Sequence, residues 1–264
     1  GQWIDHIGLF AERALFGSVA AAVVAIGYHA PEWIAPHVPR SWERNLGEAI
    51  VGDFCENRCR NADGQRALQA MVERLEPGAT KGPDAVRIAA LDIPMFNAAA
   101  LPGGHIVVFE DAITETYEPD ELAGIIAHEI AHVRRRHVTE ALIRELGIGA
   151  LIRLFAGDIG ANAEQLVALS YTRENEMEAH ADAIAMLRRA SISPKPTAEL
   201  FERLAEREGS GFGAEFLSSH PLTEGRARRF LAAYDKSARY RPAMSEKLWD
   251  TLFNICLPPS RRRG

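Results

Sequence analysis

The sequence lacks an apolar run long enough to span a bilayer. The nearest candidate, Leu15 to Tyr28, is too short and is rich in Ala and Gly. It reads as a core or interfacial helix, or as the stub of a removed anchor. Cysteine is scarce, with Cys55, Cys59 and Cys256 the complete set. Their spacing contains no Cys-x-x-Cys, which argues against a cysteine-held zinc ribbon or a dithiol redox centre. Two readings of them stay open. A Cys59–Cys256 bridge would tie the ends of the chain together in an oxidising compartment, or all three are buried thiols. An excess of positive charge is missing as well. The 30 Lys and Arg are outnumbered by 36 Asp and Glu, for a net charge of -6, which argues against nucleic acid as the main partner. The one basic cluster, Arg261 to Arg263, reads as a solvated end. There is no internal repeat and no low-complexity segment. The first residue is Gly rather than Met, so the natural start is expected to be missing, through processing or replacement.

What is present suits an ordinary folded protein, 47% apolar and 25% charged. The 264 residues fit one large domain or one domain with a small appendage. Residues 1–40 carry an N-terminal helix and a Pro-rich connection, the main domain runs over 41–256, and 257–264 form a tail. Residues 42–76 read as two helical pieces stopped by Pro77-Gly78. Strands follow near 86–91, 96–101 and 105–109, the last two joined by the turn signal Pro102-Gly103-Gly104. From Pro119 the helical period returns, with Leu122, Ile125, Ile126, Ile130 and Val133 on one stripe. Further helices are expected over 139–155, 163–190, 197–208 and 224–234, with a break at 157–162. The fold class is therefore α+β, mostly helical, with one small sheet just before the helix at 120–138.

That helix carries His128-Glu129-Ile130-Ala131-His132. Residues four apart share a helix face, so both imidazoles can reach one ion. Glu129 can then reach a metal-held water without being a ligand. A catalytic zinc takes three protein ligands and keeps one position open. The longer metzincin motif is absent, because Arg135 and Val138 stand where it needs Gly and His. The third ligand must come from elsewhere, and the segment Tyr171 to Asp182 offers Glu174, Glu176 and Glu178 on an expected helix.

Four ordered blocks resemble the gluzincin zinc metallopeptidases related to HtpX, BepA and the CAAX prenyl proteases. They are Asn97 to Val108 with its Pro-Gly-Gly turn, His128 to His137, Thr172-Arg173-x-x-Glu176-x-Glu178-Ala179, and Ser219-His220-Pro221-Leu222-Thr223-x-x-Arg226. The resemblance spans about residues 85–230. It implies a zincin-like domain with one zinc per chain, held by His128, His132 and Glu176, and Glu129 as general base. It brings His220 and Arg226 to the metal, either as hydrogen-bond donors to the developing oxyanion or, for His220, as a fourth ligand that keeps the enzyme latent. It places Asn97, Ala98 and Ala99 on a substrate-binding edge strand, with Ala99 where the family usually has Phe. His180 replaces the Asp that normally steadies a ligand histidine. His180 itself, or Asp182, is left to fill that supporting role.

These parts together imply a zinc endopeptidase that adds an extended polypeptide to the edge strand as an extra strand, and so prefers unfolded or exposed segments. The resembling proteins work at the bacterial cell envelope, which implies a periplasmic or membrane-tethered location and membrane association through the missing N-terminal segment. A zinc-stabilised chaperone or assembly factor with little proteolysis is the rival reading.

Overall fold

Asn61 shows how the local sequence sets the helices. Its side chain accepts from the backbone N–H groups of Asp63 and Gly64 and caps the start of a helix. The computed structural model describes residues 2–156, 167–207, 211, 213–220 and 225–257. Helices α1 (Gln2–Ile34), α2 (Arg40–Asp53) and α3 (Ala62–Leu75) precede the strands β1 (Arg87–Leu91), β2 (Ala98–Leu101) and β3 (His105–Phe109). Then come α4 (Glu110–Thr114), α5 (Pro119–Arg135), α6 (His137–Ala156), α7 (Arg173–Arg189), α8 (Lys195–Glu206), α9 (Ala214–Ser219), α10 (Arg226–Ala232) and α11 (Glu246–Phe253).

The three expected strands form one mixed sheet in the order β1-β3-β2, parallel between β1 and β3 and antiparallel between β3 and β2. The turn between β2 and β3 requires its glycines. Gly103 and Gly104 both have positive φ, and a Cβ on Gly103 would lie 2.4 Å from the Cα of Arg44. Strand β2 is left at the sheet edge.

Helix α5 runs through the middle of the molecule, and every residue from Asp120 to Val133 is buried. It packs on α7, α8, α3 and the sheet. Gly124 permits the close approach of α8, since a Cβ there would meet Thr197 Oγ1 at 2.1 Å. Arg203 of α8 grips the buried Glu121 of α5 at 2.8 and 2.7 Å and stacks over Tyr117. At the other end of α5, Arg136 takes the left-handed conformation (φ 62) that closes the helix. Its guanidinium pairs with buried Glu43 at 2.8 Å and donates to the carbonyls of Pro36 and Val38.

The structure differs from the sequence expectations in four respects. The helix at 15–28 is not core, because Phe16 is 76% and Val24 71% exposed. Its apolar side chains face outward, and among the described residues no helix is long and apolar enough to cross a membrane. The cysteines are not three buried thiols. Cys59 and Cys256 form a disulfide across 197 residues of sequence, while Cys55 is free and exposed. The helix expected over 163–190 is interrupted at 168–172 and resumes as α7 at Arg173, with 163–166 outside the described residues, and α4, α9 and α11 are additional. The expected break at 157–162 and the tail from 258 onward lie outside the described residues.

Candidate metal centre

Two helices build the centre. On α5, His128 and His132 project from one face and their Nε2 atoms approach to 3.0 Å. Helix α7 lies against α5. Its first turn is fixed by a capping box in which Thr172 Oγ1 accepts from the Asn175 N–H at 3.1 Å while Asn175 Oδ1 accepts from the Thr172 N–H at 3.3 Å. This start aims Glu176 inward. Its Oε1 lies 3.2 Å from His132 Nε2 and its Oε2 3.5 Å from His128 Nε2. Glu174 is exposed, and Glu178 faces away from this point.

Two later residues close the group. His220, just past α9, places Nδ1 3.0 Å from Glu176 Oε1 and 3.2 Å from His128 Nε2, with Nε2 3.4 Å from Glu129 Oε1. Arg226, at the start of α10, donates to Glu176 Oε2 at 2.8 Å and to the carbonyl of His220 at 3.1 Å. Ligand atoms of His128, His132, Glu176 and His220 all lie within 4.8 Å of one another, and all four residues are buried. Three imidazole nitrogens and a carboxylate converging on one buried point, with ring nitrogens facing each other, are the donor set of a divalent cation rather than of a self-sufficient hydrogen-bond network. The residues present fit a metal.

The electrostatics agree with that reading. Burial holds His128 well below the usual imidazole range and His132 at about 4, so both rings are neutral and able to ligate. Burial alone would raise Glu176. The surrounding His220, His128 and His132 outweigh it and hold the carboxyl far below the carboxylate range. Burial pushes Glu129 up to about 7, with Glu176 adding to the rise and His220 opposing it. A carboxyl group at that value suits a proton acceptor and donor near neutral pH. His220 is raised, because Glu129 and Glu176 overcome the effect of its burial.

The two residues expected to support the ligands lie in different places. Asp182 is turned to Arg135, at 2.6 Å, rather than to a ligand. His180 is buried, stacks on His128 with ring centroids 4.8 Å apart and places Nε2 3.8 Å from Glu176 Oε2, while among the described residues neither of its ring nitrogens makes a hydrogen bond. Burial and the Arg226 charge hold it at about 2. Tyr171 and His137 also touch a ligand ring. Tyr171 stacks on His132 at 3.9 Å between centroids, and His137 Nδ1 meets His132 Nδ1 at 3.0 Å. Tyr171 carries no sequence signal beyond its place before the Thr172 cap. His137 is visible in the sequence only as a histidine out of register with a longer motif.

Strand β2 bears on the site directly. The register leaves the N–H groups of Ala98 and Ala100 pointing away from β3. Asn97 Oδ1 takes the first at 2.8 Å and Glu129 Oε2 the second at 2.7 Å. Ala98, Ala99, Ala100 and Leu101 are all buried.

The sequence profile of Peptidase family M48 matches residues 60–233. The chain belongs to this family. Within M48 it is similar to the mitochondrial metalloendopeptidase OMA1 of Arabidopsis thaliana, 28% identical over 146 residues that cover 53% of this chain and 30% of that protein. It is similar to the beta-barrel assembly-enhancing protease of Yersinia pestis, 24% identical over 274 residues, covering 93% of this chain and 56% of that one. The Escherichia coli protein of the same name is 27% identical over 174 residues, covering 58% and 35%. The chain spans about a third to a little over half the length of these relatives. Its buried His128, His132 and Glu176 form the zinc-site-like cluster of an M48 metallopeptidase.

Proposed function

We propose that the chain is a zinc-dependent endopeptidase that hydrolyses unfolded or exposed polypeptide segments in protein quality control at the cell envelope. One observation carries the reading: Glu129, held near neutrality by burial, lies beside the four-donor cluster and hydrogen-bonds the edge strand on which an extended chain would align. One zinc held by His128, His132 and Glu176 would lower the pKa of a bound water to about 7 and polarise the scissile carbonyl. Glu129 accepts the proton of the attacking water and returns it to the leaving amine nitrogen. Asn97, Ala98 and Ala99 lie on the edge strand, where the N–H groups of Ala98 and Ala100, which point away from β3, align the substrate backbone once Asn97 Oδ1 and Glu129 release them.

His220 and Arg226 have separate parts. Arg226 neutralises and pins Glu176. His220 fills the place of a fourth ligand in this arrangement, so it must withdraw before substrate binds, and it can then donate to the developing oxyanion. Residues 41–256 form the metallopeptidase domain, a reading supported by the family match and by the disulfide from Cys59 to Cys256. That disulfide favours an oxidising, periplasmic setting. The outward apolar side chains of α1 favour tethering at a membrane.

The test is hydrolysis of an unfolded, casein-like chain by zinc-loaded protein. Cleavage that is lost in Glu129→Gln supports the proposal. If wild type and His220→Ala both leave the chain intact, the proposal fails.

A further inference from the structure

His132 and His137 are five residues apart. On an unbroken helix they would point about 140° from each other. They meet because α5 ends between them, at the left-handed Arg136, and α6 starts in a new direction. His137 is buried, its Nδ1 faces His132 Nδ1 at 3.0 Å, and its Nε2 faces Glu178 Oε2 at 3.2 Å. Glu178 is one turn from its neighbours on the outer side of α7, half exposed, with Arg135 Nη1 at 3.0 Å from the same oxygen.

We propose that His137 and Glu178 are a positioning pair that orients and polarises His132 as a metal ligand. The proposal rests on the reading of His132 as a ligand. One assignment of protons satisfies every contact. His132 keeps Nε2 free toward the cluster, so Nδ1 carries its proton and donates to His137 Nδ1. His137 then carries its own proton on Nε2 and donates it to the Glu178 carboxylate. A carboxylate at the end of such a chain draws each proton outward and makes the distal nitrogen of the first ring a better electron-pair donor. The Glu178 end is open to water, since Glu178, His137 and Arg135 line a cavity of about 540 Å³ together with Glu140 and Arg144.

Among the described residues, the other ligand on α5 has no such support. His128 Nδ1 has no hydrogen-bond partner among them, and its ring is covered by His180. The metal affinity of the site therefore depends more on the His132 branch. Among the described contacts, His137 reaches the cluster through His132, so the role assigned to the pair is one of positioning.

The experiment measures zinc affinity by competition with a chelator for wild type, Glu178→Gln, His137→Phe and Glu174→Gln, with the thermal transition of each metal-free protein recorded alongside. Glu174→Gln makes the same charge change on an exposed position of the same helix. Glu178→Gln and His137→Phe should each bind zinc roughly 10- to 100-fold more weakly while the metal-free transition of Glu178→Gln stays at the wild-type temperature. Glu174→Gln should bind as wild type. The half-exposed Glu178 keeps the test decisive even where His137→Phe fails to fold. If Glu178→Gln binds zinc as tightly as Glu174→Gln, the positioning role is overturned while the ligand reading survives. If wild type itself takes up no zinc, the ligand reading falls and the positioning role with it.

Discussion

Glu129 accepts the backbone N–H of Ala100 at 2.7 Å, so the carboxylate beside the metal centre is also tied to the edge strand where a substrate would pair. Glu129→Gln keeps an amide oxygen for the Ala100 N–H but cannot take up a proton. We expect cleavage of an unfolded substrate to fall about 10²- to 10⁴-fold, with zinc content and substrate binding retained. Rates beside a binding isotherm check this, and they separate the enzyme from a chaperone that only holds its client. Cleavage unchanged in Glu129→Gln would remove Glu129 from the chemistry.

Arg226 is buried and meets Glu176 at 2.8 Å. Arg226→Leu leaves the Glu176 carboxylate in a dry place with one cation fewer. Removing one partner of a buried pair costs about 3–5 kcal/mol, and we expect that loss in urea unfolding of the metal-free protein. Added zinc supplies positive charge to the same carboxylate and should recover part of it. An equal loss with and without zinc would separate Arg226 from the metal centre.

Tyr171 lies flat on His132, with centroids 3.9 Å apart. Tyr171→Phe keeps the ring, whereas Tyr171→Ala leaves a cavity beside a ligand and should cost about 3–5 kcal/mol. Thermal denaturation and zinc affinity should both rank wild type close to Phe and well above Ala. If Phe falls with Ala, the hydroxyl rather than the stacked ring is what matters.

The parts of this arrangement that were legible in the sequence are those governed by short, regular spacing. His128, Glu129 and His132 follow from helical periodicity, and the strands lie within two residues of their expected bounds because Pro102-Gly103-Gly104 and the apolar runs punctuate them. Glu176 came from resemblance, since spacing alone left Glu174 and Glu178 as rivals. The His132–His137 contact was hidden because it depends on one residue, Arg136, taking a left-handed conformation stabilised by Glu43 and two distant carbonyls. The exposure of α1 was hidden because composition reports how apolar a helix is, not what covers it.

The Cys59–Cys256 bridge closes a loop with a sequence separation of 197 and joins the segment after α11 to the entrance of α3. The chain-entropy model assigns a loop of that size about 5 kcal/mol. Reduction should therefore lower the urea midpoint strongly and add the mass of two hydrogen atoms, and both effects of reduction should persist in Cys55→Ser. A reduced protein as stable as the oxidised one would show that packing of α11 on α3 suffices without the bond.

His105 provides a pH test away from the metal. It opens β3, and burial, reinforced by Arg87, lowers it from 6.5 to about 4. The unfolded chain thus takes up a proton at this position that the folded protein refuses. The stability tied to neutral His105 is complete above about pH 6.5, falls as pH drops, and is fully lost by about pH 4. Over that window the slope from one proton is at most about 1.4 kcal/mol per pH unit. His105→Phe should make the fall in unfolding free energy between pH 7 and pH 4 shallower by one proton at most, with little change in slope above pH 7. Denaturant unfolding of zinc-loaded wild type and variant at stepped pH measures it. Parallel curves for the two proteins would show that His105 already carries its proton in the folded state.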